Sequence, residues 1–97
     1  TTLNPFIRNY YKNLRGDKLE DAWMMAKASI SNNDLMIDTL NQELAKDNLS
    51  EEERERAIET KQDLEYQNVT NELIVEILDE NRLKEAKKNA KNKNVFK

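Results

Sequence analysis

The sequence predicts an all-α fold: an antiparallel hairpin of two long helices with a short N-terminal helix, a three-helix unit expected to self-associate. Three observations carry this. The 97 residues hold one Gly and one Pro, the residues that usually punctuate turns and sheets. From Leu19 to Leu44 a seam repeats at alternating spacings of four and three, the 3.5-residue period of a coiled coil. Ser50-Glu51-Glu52-Glu53 then marks a fresh helix start soon after the seam ends. A short link between two long helices makes them antiparallel neighbours.

Asn4-Pro5 opens the first helix, expected at about residues 5–15. Asn caps free N–H groups, and Pro at the first helical position gives up an N–H that has no partner there. Phe6, Tyr10 and Leu14 recur at helical spacing, with Ile7 and Tyr11 alongside, and form the expected inner stripe. Gly16 stands where a left-handed C-terminal cap is expected.

The second helix is expected at about residues 18–47, with Asp17 as cap and Glu20 closing a capping box. Its seam is Leu19, Trp23, Ala26, Ile30, Asn33, Ile37, Leu40 and Leu44. Asn33 is the single polar member; such an Asn costs stability and fixes register or partner number. Met24, Ala28 and Leu35 make a weaker strip nearly opposite, and Met25 and Met36 lie on a flank.

In the third helix, expected at about residues 51–88, Ser50 and Glu53 cap each other. Two stripes are predicted to face inward. One is Ile58, Gln62, Tyr66, Val69, Leu73 and Ile77; the other is Ala57, Leu64, Asn71, Ile74 and Leu78. They merge in residues 73–83, where apolar side chains cover roughly 200° of the helix, enough to touch two neighbours. Folding at residues 48–49 is expected to bring Leu44 to Ala57 and Ile58, Ile37 to Leu64, Ile30 to Val69, Trp23 to Ile74 and Val75, and Leu19 to Leu78. Asn33, Asn71 and Asn81 fall within or beside apolar stripes, where they either meet water at the margins or pair across helices and set register. Residues 1–88 then form one domain, and residues 89–97 a basic tail that frays.

The net charge of −3 is unevenly spread. Residues 1–16 carry +3, residues 17–49 carry −4, residues 50–83 carry −7 and residues 84–97 carry +5. Hairpin folding places both basic ends together and leaves the turn end acidic.

Chemistry is sparse. Without Cys or His the chain has no thiolate nucleophile, no zinc-thiolate set and no imidazole base. The acids of residues 51–55 and 79–80 point in different directions around a helix and suit its N-terminal dipole or water better than a metal. No cofactor, metal or catalytic residue is assigned, and an enzyme is not expected. No apolar run reaches the roughly 18 residues that span a bilayer, and the expected location is cytoplasmic.

The hairpin form and length resemble the secreted Trp-x-Gly helical hairpins, although Trp23 is followed by Met24-Met25. The acidic body with a basic tail is similar in composition to viral scaffolding proteins. Neither resemblance assigns a residue. The expected function is a scaffold- or adaptor-like interaction module that binds a protein partner or itself through Met24, Ala28, Leu35, Ile74 and Leu78. One alternative is nucleic-acid binding, with Arg8, Lys12, Arg15, Lys87, Lys88 and Lys91 on phosphates and Tyr10 or Tyr11 stacking on a base. Another is an acidic inhibitor that offers residues 51–65 to a basic site.

Overall fold

A computed structural model describes residues 3–95, with side chains described for residues 3–91. Three helices follow in order: α1 (Pro5–Lys12), α2 (Gly16–Leu44) and α3 (Glu51–Val95). Asn4 Oδ1 accepts the Phe6 N–H at 2.8 Å and starts α1. Ser50 and Glu53 close their capping box in both directions, at 3.1 and 3.4 Å, and start α3. The link between α2 and α3 is held by Arg54, whose guanidinium donates to the Leu44 and Lys46 carbonyls at 3.1 and 3.2 Å. These carbonyls lie at the end of α2, where no helical N–H follows to satisfy them.

The two long helices pack along their length. Every residue of the predicted α2 seam is buried or half-buried. The opposing seam on α3 is Arg54, Ala57, Lys61, Leu64, Asn68, Asn71, Val75, Leu78, Arg82 and Glu85, again buried or half-buried throughout. It alternates three and four without a slip, so two 3.5-residue patterns face each other. Its apolar centre is where Leu19 and Leu78, both fully buried, meet Ala26, Ile74 and Val75. Burying a Leu of this kind contributes about 1.5–3 kcal/mol.

Several expectations give way here. Ile58, Tyr66 and Val69 are exposed, so the first α3 stripe is not the inner one over most of its length. The polar residues opposite it are the reason. Asn33 on α2 donates to Asn68 Oδ1 at 3.1 Å, and Asn68 in turn donates to Asp34 at 2.9 Å. A buried amide requires a partner, so polar Asn68 turns inward opposite Asn33 and its neighbour Val69 is left exposed. Further along, Trp23 Nε1 donates to Asp79 at 2.7 Å. This sets Trp23 one turn beyond the expected Ile74 and Val75.

Helix ends also differ. Gly16 has the left-handed φ of +64°, but it opens α2 rather than closing α1, which ends at Lys12. Its N–H donates to Glu85 Oε1 at 2.8 Å, so a carboxylate from α3 meets the start of α2. The Asp17–Glu20 box does not form: no side chain caps α2 locally, and Glu20 pairs with Arg82 at 3.0 Å. Helix α2 stops at Leu44, and α3 runs on to Val95 instead of ending near Lys88.

Helix α1 lies against α3 near its merged stripe. Leu3, Tyr11 and Leu14 face the core, whereas Phe6 and Tyr10 are exposed, contrary to the predicted stripe. Asn81 decides the orientation. Its side chain is 2% exposed, and Nδ2 donates to the Tyr11 carbonyl at 2.8 Å and the Leu14 carbonyl at 3.5 Å. A carbonyl in the last turn of α1 and one just after it thereby accept from α3 as well, and Tyr11 and Leu14 are drawn inward.

Candidate functional site

The site follows from a mismatch of lengths. Helix α1 has 8 residues and α2 has 29. Two packed helices leave a groove along each side, and α1 covers only one end of one of them. The uncovered part begins at a depression of about 540 Å³ where Tyr10 and Tyr11 of α1 and Leu14 just after it meet Ala22, Met25, Ala26 and Ser29 of α2, with Asn71 and Ile74 of α3. A second depression of about 430 Å³ continues it between α2 and α3 alone, lined by Ser29, Asn32, Asn33, Tyr66, Gln67, Thr70 and Asn71. The two share Ser29 and Asn71 and form one groove.

Its rim is apolar and open. Met25 is 71% exposed, Tyr66 63% and Tyr10 61%. Tyr10 packs edge-on against Tyr11, with ring centroids 5.2 Å apart, which holds one ring at the mouth while the other reaches the core. The floor is polar in the middle. Asn33 donates to Asn68 at 3.1 Å and to Gln67 at 3.4 Å. The upper depression carries one charge of each sign, Lys18 and Asp21, and the lower one carries none. A surface with apolar rims and uncharged amides suits the side of another helix, which packs by filling grooves.

A charged network links α2 and α3 elsewhere, around Trp23, beside a depression of about 460 Å³ lined by Glu20, Asp79 and Arg82. The Arg82 guanidinium lies 3.8 Å from the Trp23 ring centroid, and Lys27 Nζ lies 5.8 Å from it. Arg82 pairs with Glu20, and the indole N–H is taken by Asp79. These groups satisfy one another and hold the two helices together.

The residues singled out from sequence are dispersed. Met24, Ala28 and Leu35 are exposed on the side of α2 away from its seam, and none of them lines this groove. Ile74 and Leu78 do not form an exposed partner surface: they are 8% and 0% exposed, because α1 and α2 already cover them. Ile74 reaches only the groove floor. Arg8, Lys12, Lys87, Lys88 and Lys91 are exposed. Arg15 turns its guanidinium back onto the Lys12 and Leu14 carbonyls at 2.9 and 2.6 Å. The bond from Gly16 to Glu85 places the start of α2 beside the stretch of α3 that leads into the lysines. Met25 and Tyr66 were missed as rim residues. Met25 was legible as a flank position of α2, but Tyr66 was assigned to the inner stripe.

Compared with known protein families, curated proteins and solved structures, the chain matches none. Among the described residues no helix is long and apolar enough to cross a membrane.

Proposed function

We propose that this protein is a non-enzymatic interaction module that receives a helix in the groove between α2 and α3. The observation that carries the reading is the groove itself: α1 covers its upper end, exposed Met25 and Tyr66 line what remains, and its lower part is free of charge. Met on a rim adapts to different side chains, and an aromatic anchor supplies large contact area. Selection of helical peptides from a random displayed library tests the reading. The expected winners carry apolar residues at i, i+3, i+4 and i+7 and lose binding to Met25→Glu and Tyr66→Ala. Winners whose binding is untouched by both substitutions would count against the groove.

A second reading rests on a separate observation. The Gly16–Glu85 bond gathers Arg8 and Lys12 of α1 at the same end of the molecule as Lys87, Lys88 and Lys91. In this reading that end binds nucleic-acid phosphates, with affinity falling steeply as salt rises. Neutralising Arg8, Lys12, Lys87, Lys88 and Lys91 together should abolish retardation of a single-stranded oligonucleotide. Unchanged retardation would dismiss this surface.

A further inference from the structure

We infer that the groove is covered by the α2–α3 face of a second copy of this chain, laid antiparallel to the first so that a twofold axis crosses the groove centre. The inference rests on the groove reading and names its occupant.

Charge distribution along the rod is the first argument. The molecule extends 68 × 28 × 17 Å. At the turn end, residues 34–66 hold eleven acids and four bases, a net −7. At the other end, residues 3–18 and 84–91 together hold eight bases and two acids, a net +6. Two parallel copies would set like ends side by side. Two antiparallel copies set each basic end against the acidic end of its neighbour, at both ends at once. Surface charges of this kind are screened by salt within roughly a Debye length of about 8–10 Å, so the complementarity acts between rods in contact and weakens at high ionic strength.

The groove centre is the second argument. In an isologous contact a patch must accept its own image. A charged centre would repel its copy across the axis. Here the shared lining residues are Ser29 and Asn71, flanked by Asn32, Gln67 and Thr70. Each hydroxyl or carboxamide both donates and accepts, so those on the axis can pair with their own counterparts and those flanking it with one another. Met25 of α2 lines the upper depression and Tyr66 of α3 the lower one, and both offer exposed apolar surface.

The chain has no Cys, so single spin labels can be placed through Lys87→Cys and Glu59→Cys, both at exposed positions. Distances between labels are then read by pulsed electron resonance on the full-length chain. At 1.5 Å per residue, an antiparallel pair gives long distances within each variant, about 35–50 Å, and a short one, about 20 Å, when the two variants are mixed. Short distances within each variant and a long one in the mixture would describe a parallel pair and overturn the arrangement. No intermolecular distance, with a monomer by sedimentation, would overturn the second copy as occupant while leaving the peptide selection to judge the groove. Pairing whose strength is unchanged from low to high salt would overturn the charge argument.

Discussion

Trp23 donates its indole N–H to Asp79 Oδ1 at 2.7 Å across the α2–α3 interface. Arg82 stacks on the same ring at 3.8 Å and reaches Glu20. The hairpin is thus pinned in one register by a polar network beside its apolar centre. A slip of one turn would keep Leu against Leu at some positions but would leave the indole and the carboxylate without their partners.

Asp79→Ala removes the acceptor and keeps the helix propensity high. Because the bond lies at a partly exposed site, a loss of about 1 kcal/mol is expected, read from urea unfolding. Fluorescence from Trp23, the one Trp in the chain, should shift with the lost contact. An unchanged emission spectrum and midpoint would remove this pair from the register argument.

The buried amides make a different prediction. Asn33→Leu leaves the Asn68 carbonyl oxygen without the bond it has at 3.1 Å, at a cost of about 1–3 kcal/mol for an unpaired buried polar group. Replacing both Asn33 and Asn68 with Leu should recover that loss or exceed it, since nothing buried is then left unpaired at the pair. The gain should come with mixed registers or oligomers, visible as extra resonances in an amide spectrum. A double variant less stable than the single one would contradict this account.

Asn81 ties α1 to the hairpin. Asn81→Ala should cost about 1–3 kcal/mol and speed amide exchange across α1 far more than across α2. Exchange that rises equally in both helices would mean that Asn81 supports the core at large and not the docking of α1.

Gly16→Ala isolates a backbone effect. The added Cβ would meet nothing within 4 Å, so the only cost is the φ of +64°. A left-handed conformation at a residue with a Cβ costs roughly 1–2 kcal/mol. Gly16→Asn should recover part of it, since Asn tolerates this region better. Thermal unfolding of both variants provides the comparison.

The α2 seam was legible because one unbroken period decides a helical face, and the period survived the polar Asn33. The α3 seam was legible only in part over its first half, where Ala57 and Leu64 fall on an expected stripe and are covered. Its inner positions include Arg54, Lys61 and Asn68, while Ile58 and Val69 face outward. Hydrophobicity ranked those residues in the wrong order, because Asn33 and Asp34 opposite required a polar partner and because Arg54 served the α2 carbonyls. Helix α1 misled in the same way. Leu14 faces inward as expected, but backbone capture by Asn81 brings Tyr11 inward in place of its neighbour Tyr10, and Leu3 fills the core from outside the helix while Phe6 stays exposed. The groove itself depends on how far eight residues of α1 reach along α2, a tertiary fact with no local signature. Only the excess length of the long helices hinted at an uncovered face.

Sedimentation equilibrium of the full-length chain beside two variants tests the central claim most directly. Met25→Glu places a charge on the groove rim, and Met24→Glu places one on the far side of α2. The expected result is a dimer for the unchanged chain and for Met24→Glu, with Met25→Glu at least about tenfold weaker, the scale of a contact worth more than about 1 kcal/mol. A dimer that survives Met25→Glu and falls apart with Met24→Glu would contradict the groove and return the interface to the Met24, Ala28 and Leu35 strip.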